Sequence, residues 1–358
     1  MGLFFQHRKA GAENFYVSTE FIDDKSLDAV ALVRLQQLYG AEKLREHTAA
    51  VDVADEQNGR IGVLEGSANV KVLVKINLES TIDKYINKCD GLILGISHFS
   101  VGFKDTFDIE EISKIIEKYP NKDIFISINK SIFNNELEEL EKVLTRLNKM
   151  PIKGILFYDL SILYLKKKHN FNFDLVWNQT HMVTNYNTCN YYYKNGVRYG
   201  FISSEITKEE ILEINKLSKM DFLYTIVGHQ VMSLSRRSLL TNYYTSISKE
   251  YDGTTKEIYE HDNKYLISED NNGTIIKTNT IFNGIEILPE LIENNLSYVV
   301  VDEDLIDYNI ILNILDIVSN IIQGKNIEKS INKSYELIGN NTSFLYKKTI
   351  FKVKKDNK

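Results

Sequence analysis

The sequence predicts an α/β protein: a (β/α)8 barrel of the TIM type with a β-hairpin insertion after the seventh strand. Three observations carry this expectation. Eight short β-rich apolar runs lie between residues 71 and 302, amphipathic helical patterns fill the intervals, and one turn-centred extended segment interrupts the alternation. The runs are "KVLVKI" (71–76), "GLILGI" (91–96), "DIFISI" (123–128), "GILFY" (154–158), "FDLVW" (173–177), "RYGFIS" (198–203), "DFLYTIV" (221–227) and "SYVVVD" (297–302). Strict alternation of strand and helix implies right-handed βαβ units, and eight of them close a parallel barrel.

The helices have readable starts. Asp108 with Glu111, and Thr207 with Glu210, each form a capping-box pattern at the head of an Ile/Leu stripe. The interruption is 255–284, "TKEIYEHDNKYLISEDNNGTIIKTNTIFNG", two extended runs around "EDNNGT" with an Asn-Gly turn signal. It falls after the seventh run, beside the mouth of the expected barrel.

A seam precedes the first run. Residues 1–70 contain nine alanines and the other 288 residues contain none, whereas alanine is ordinarily among the commonest residues. The body is rich in Ile, Asn, Lys and Tyr, as an AT-rich gene would encode. We therefore read 1–69, ending in the linker-like "EGSAN", as a foreign fusion or expression segment, 70–345 as the barrel domain, and 346–358 as a basic tail. Within the first segment, "SLDAVALVRLQQLYGAEKLREHTAA" reads as a helix.

Composition narrows the function classes. A chain of 358 residues with 43% hydrophobic content buries one large core or two modest ones. It has no uncharged apolar stretch of membrane-spanning length, and "MGLFFQHRKAG" meets charge too early for a signal peptide, so a cytoplasmic protein away from membranes is expected. Cys89 and Cys189 have no CxxC or Cys/His spacing, so neither an iron–sulfur cluster nor a zinc site is expected from this chain alone. Of 43 Lys/Arg and 49 Asp/Glu, the first 70 residues hold 7 and 11, leaving the body nearly neutral at 36 against 38. Net charge therefore does not point to a phosphate-backbone binder. The runs Lys166–Lys168, Arg236 with Arg237, and "LYKKTIFKVKKDNK" read first as solvated surface.

In such a barrel, chemistry sits just after the strands. The polar residues there include Ser97 and His98, Asn129 and Lys130, Asp159, Asn178 with Gln179, Thr180 and His181, Ser203 to Glu205, His229, and Asp302 to Asp304. Asp159 and Asp302 each have an ordinary reading as helix caps. His98, His181 and His229 are acid–base candidates because imidazole titrates near neutrality, and Glu205 is not explained by the Thr207 cap. A Gly-rich phosphate loop, HExxH and GxSxG are all absent from the sequence. Ser233, Ser235 and Ser238 read as a turn bonding its own backbone rather than as nucleophiles.

The stretch after the seventh run, "VGHQVMSLSRRSLLTNYY", resembles the segment "HGxLCxSYSGRCLLSNY" of the collagenase-like peptidase family U-32. Gly228, Ser235, Arg237, Leu239, Leu240, Asn242 and Tyr243 match it, and Val231 and Ser238 stand where the family carries cysteines. "CDGLILGISHFSVGFKDTFDIEEI", "NNELEELEKVLTRLNKMPIKGILFYDLSIL" and "NGVRYGFISSEITKEEI" are similar to further landmarks, the last placing Glu205 on the family's glutamate. The family's opening "LLAPAG" is replaced by "KVLVKINLES", and the cluster-bearing members' cysteines are missing, as in the short, cysteine-poor branch.

The resemblance implies a barrel fold and three alternative functions. The first is RNA hydroxylation, at tRNA wobble uridine, with this chain as the cluster-free partner of a longer paralogue. The second is a collagenase-like peptidase. The third is a non-catalytic scaffold. The candidate catalytic residues, taken from the strand ends with Glu205 supported by the resemblance, are His229, Glu205 and His181, and the candidate substrate- or anion-binding residues at the strand ends and on the turn are Arg236, Arg237, Lys130, Asn129, Gln179, Asp159 and His98. No metal ligand set and no particular cofactor is implied.

Overall fold

The structure, a computed structural model, describes residues 70–347 except Thr180 and Asp262; segment 1–69 and the tail beyond Lys347 lie outside the described residues. Its strands are β1 (Lys71–Lys75), β2 (Gly91–Gly95), β3 (Asp123–Ile128), β4 (Gly154–Phe157), β5 (Asp174–Trp177), β6 (Tyr199–Phe201), β7 (Asp221–Ser235), β8 (Lys256–Glu260), β9 (Asn263–Asp270), β10 (Gly273–Asn283) and β11 (Tyr298–Asp302). Strands β1 to β7 pair in parallel in sequence order, and β11 pairs in parallel with both β7 and β1, closing an eight-stranded barrel. All eight expected runs are its staves. One differs in length: β7 continues past Val227 to Ser235.

Side-chain alternation explains why each stave is apolar on both faces. One parity packs outward against helices, as Val72, Val74, Leu92 and Leu94 do. The other parity forms an internal layer of Leu73, Ile93, Phe125, Leu156, Val176, Tyr199, Leu223, Tyr298 and Val300. There Phe125 meets Tyr298 edge-to-face at 5.4 Å. The barrel is thus plugged, and only its ends are open to chemistry. Beneath the plug, Asp123 accepts from Lys71 Nζ at 2.7 Å and from the Tyr298 hydroxyl at 2.8 Å.

The helices, in chain order, are α1 (Ile82–Tyr85), α2 (Ile109–Lys118), α3 (Leu137–Leu147), α4 (Ser161–His169), α5 (Tyr186–Lys194), α6 (Lys208–Leu217), α7 (Leu239–Ser246), α8 (Leu288–Glu293), α9 (Tyr308–Ile322) and α10 (Ile327–Ile338). Both expected capping boxes form, Asp108–Glu111 on α2 and Thr207–Glu210 on α6. Helix α9 is capped by Asp307 and not by Asp302, which leaves Asp302 for another partner.

The insertion is larger than a hairpin. The second half of β7 pairs antiparallel with β10, β10 with β9, and β9 with β8. The β9–β10 turn docks on the loops after β2 and β3. Asp270 Oδ2 accepts from Gly102 N at 2.8 Å, Asn272 Nδ2 donates to Ser100 O at 2.7 Å, and Lys130 Nζ donates to Asn272 Oδ1 at 3.1 Å. The insertion therefore roofs the C-terminal mouth.

Where β7 leaves the barrel it crosses the end of β11 at Gly228. Its φ is 152°, and a Cβ there would sit 2.7 Å from the Cβ of Asp302. Glycine is required by both strain and space. Gly228→Ala is expected to destabilise the fold by about 1–3 kcal/mol, read as a lowered urea midpoint; an unchanged midpoint would remove this account of the crossing.

Candidate functional site

Lys75, Ser127, Thr225 and Asp302 each lie two residues beyond a member of the plug, namely Leu73, Phe125, Leu223 and Val300. The same parity turns them into the barrel one layer higher. With Asn178, they line a cavity of ≈ 120 Å³ between the plug and the roof. Ile93, Leu156 and Phe201 form its apolar floor, and Leu234 and Ile275 come from the insertion.

The charges are paired internally. Lys75 Nζ lies 2.8 Å from Asp302 Oδ2, with side-chain exposures of 18% and 11%. Burial alone would lower the lysine, but Asp302 and Asp304 outweigh it and hold the ammonium above its ordinary range. Burial alone would raise Asp302, but Lys75 and Lys277 hold it below its own. Both groups are therefore charged at neutral pH. Lys277 is fully buried and ion-pairs with Asp304. Between them, Glu303 Oε1 accepts from Asn77 N at 2.5 Å, Leu78 N at 2.9 Å and Thr81 Oγ1 at 3.0 Å, fixing the loop after β1. Each carboxylate of the "DED" triplet thus has a separate partner.

His229 lines the same cavity from β7. Its Nδ1 is 2.8 Å from the carbonyl oxygen of Thr278. A carbonyl only accepts, so Nδ1 carries the proton and Nε2 keeps its lone pair. Burial pushes this imidazole below its ordinary value, against the pull of the Thr278 carbonyl, so it is neutral at pH 7. Its chemical capacity is that of a fixed base.

His181 and Glu205 come together on the loops after β5 and β6. Nδ1 lies 3.1 Å from Oε2, an ion-pair distance without hydrogen-bond alignment, and both side chains are about two-fifths exposed, at 39% and 38%. The His181 contact holds the Glu205 carboxyl below its ordinary value. This pair sits on the rim, outside the residues lining the cavity.

Lys130 and Arg236 also converge, on Glu136. Lys130 Nζ is 2.9 Å from Oε1, and the Arg236 guanidinium makes a two-point contact of 2.9 and 3.0 Å. Arg236 further donates to Ser131 O. Burial works to raise Glu136, but Arg236, Lys130 and the Phe133 amide bring it down to about 2. These cations clamp the insertion to the loop after β3. Arg237 is exposed just beyond β7.

The other candidates hold backbone. Asn129 bridges both polar atoms of Val101 at 2.8 and 2.9 Å while lining the cavity. Gln179 joins Trp177 Nε1 to the Tyr158 carbonyl. Asp159 accepts from Ile132 N and from Ser161 N at the start of α4. His98 is exposed on a turn with φ 67°, away from the cavity.

Lys75, Ser127, Thr225 and Lys277 were not among the residues singled out from sequence. For Lys75 a signal existed: a lysine inside the apolar run "KVLVKI", on the inward parity, has no way to reach water except through the mouth. Lys277 had none, because it lies in the insertion.

Among the described residues, no serine hydroxyl is hydrogen-bonded to a histidine, and no three His, Cys, Asp or Glu side chains are grouped to hold a metal ion. Nor is any helix long and apolar enough to cross a membrane. An iron–sulfur cluster does not fit this site. Val231, on the cavity wall, and exposed Ser238 offer no thiolate, while Cys89 and Cys189 are buried and pushed up to about 12 by that burial.

The fold and site define a plugged, roofed (β/α)8 barrel with a buried ion pair and a neutral histidine at its strand ends. The profile of peptidase family U32 matches residues 76–340, and the chain belongs to that family. The tRNA hydroxylation protein P2 of Bacillus subtilis (strain 168) is 26% identical over 225 residues, covering 59% of this chain and 71% of the relative. Among solved structures, the U32 peptidase Mk0906 is 11% identical with a TM-score of 0.45, covering 70% of this chain and 98% of its own. Orotidine 5′-monophosphate decarboxylase from Methanocaldococcus jannaschii is 14% identical with a TM-score of 0.37, covering 76% and 99%.

Proposed function

We propose that this chain acts in tRNA hydroxylation, the activity named for its Bacillus relative, with the modified base a wobble uridine. The observation that carries the reading over proteolysis is the roof. A peptide bond can reach His229 and the Lys75–Asp302 pair only through an open groove, whereas the roofed cavity here is ≈ 120 Å³, close to the roughly 150 Å³ that holds one six-membered ring. Within it, Nε2 of His229 accepts a proton, and the Lys75–Asp302 pair supplies a fixed cation and anion. A longer, cysteine-bearing paralogue as partner fits a chain without cluster ligands. The half-exposed His181–Glu205 pair supports a second reading, a peptidase using that pair on water at the rim.

Mass spectrometry of tRNA nucleosides tests the first reading. Deleting the native gene should abolish the hydroxylated nucleoside. Complementation with the wild-type chain should restore it, and His229→Ala should lower the rate roughly a hundredfold or more. An unchanged nucleoside profile after deletion rejects tRNA hydroxylation. Cleavage of gelatin that survives in His229→Ala but not in Glu205→Gln would favour the peptidase.

A further inference from the structure

The near-neutral total hides an unbalanced sector. From Lys142 to Ser204 there are nine Lys/Arg and two Asp/Glu, while the rest of the chain carries 34 against 47. This stretch forms the end of α3, then β4, α4, β5, α5 and β6, neighbouring staves and helices on one side of the barrel. Lys167 near the end of α4 donates to Asn195 at the end of α5 at 3.0 Å, so the two helices share a surface.

Several of the cations are neutralised. Lys142 pairs with Glu138, Arg146 with Glu110, Lys168 with Glu141, and Arg198 with Asp174 and Asp221, while Lys166 donates to two backbone carbonyls. Lys149, Lys167 and Lys194 are exposed and have no carboxylate partner among the described residues. Favourable placement at a helix C-terminus accounts for the position of each of these lysines, Lys149 included, since it directly follows the cap of α3. It does not account for the aromatic residues beside them. Tyr164, Tyr191 and Tyr193 are 65%, 50% and 42% exposed on α4 and α5, two helices without a single acidic residue.

Cations track a phosphate backbone, and tyrosine faces stack unpaired bases. We infer that the α4–α5 face is an RNA-docking surface, which rests on the tRNA reading above and adds where the RNA is held. The cations lie where helices return to strand starts, at the end of the barrel opposite the roofed mouth. Contacts there orient the RNA and take no part in the reaction.

The test uses the full-length chain and fluorescein-labelled tRNA, with anisotropy read at about 50 and 200 mM salt. The variant Lys167→Glu/Lys194→Glu should bind at least tenfold more weakly at the lower salt. Its salt slope should fall by roughly 0.7–0.9 for each lysine lost. Tyr164→Ser/Tyr191→Ser should weaken binding at least fivefold with the slope unchanged. Lys329→Glu, on exposed α10, should match wild type. The surface is overturned if the α4–α5 variants bind like wild type, if Lys329→Glu weakens binding equally, or if wild type does not bind tRNA. Loss of the hydroxylated nucleoside on gene deletion, without tRNA affinity in this chain, would retain the functional reading and remove this surface alone.

Discussion

Lys75→Met is expected to cost about 3–5 kcal/mol of unfolding free energy, because removing one partner of a buried ion pair strands the other. Here the stranded group is Asp302, and its remaining cation, Lys277, is already committed to Asp304. The small exposure of both side chains places the loss at the lower end of that range. Urea denaturation measures it. The double variant Lys75→Met/Asp302→Leu should recover most of the loss, since a well-packed apolar replacement of such a pair is often neutral. Neither variant should restore the hydroxylated nucleoside in a deletion strain. Recovery of stability without recovery of activity separates a binding or catalytic role from a merely architectural one. A single variant as stable as wild type would mean that water reaches the pair.

The second large effect concerns Glu136, where two cations rest on one carboxylate. Its folded pKa of about 2 lies below the ordinary 4.5. The stabilisation is therefore complete above pH 4.5 and is lost as pH falls from 4.5 toward 2. The full contribution is on the order of 3 kcal/mol. Glu136→Gln should lose that amount at neutral pH and should also lose the wild-type dependence on acid over this window. Hydrogen exchange should report where the loss falls: amides of β9 and β10 should exchange faster in the variant, while those of β2 and β3 stay protected. Uniform acceleration across the barrel would contradict a clamp confined to the roof.

Most of the barrel was legible because its staves have two apolar faces and its helices begin with side-chain caps, both local properties of the chain. The second half of β7 was not. "GHQVMSLS" lacks the unbroken apolar character of a stave, since in the structure it is part of an antiparallel roof with one wetter face. The site was half legible for a related reason. His229 and the "DED" triplet stand just after apolar runs and are conspicuous there. Lys75 and Thr225 are inside runs, and only knowledge of which parity faces inward distinguishes them from edge lysines and ordinary β-branched residues. The pairing of Arg236 with Glu136, a hundred positions away, is a tertiary fact with no sequence signal, so an arginine that reads as an anion holder turns out to be held by the chain itself.

The roof also bears on how the barrel can close at all. The last two staves in chain order, β7 and β11, are separated by the whole insertion, and joining distant segments costs loop entropy before any contact repays it. Yet Val227, at the stave end of β7, is paired with Asn283 at the end of β10. Once the roof sheet has formed, the segment still free between the two staves shrinks to 284–297, much of it the turn and short helix α8. The roof sheet thus pinches the insertion off, so β11 reaches β7 over a span typical of an ordinary βα unit, and only its pairing with β1 remains a long-range closure.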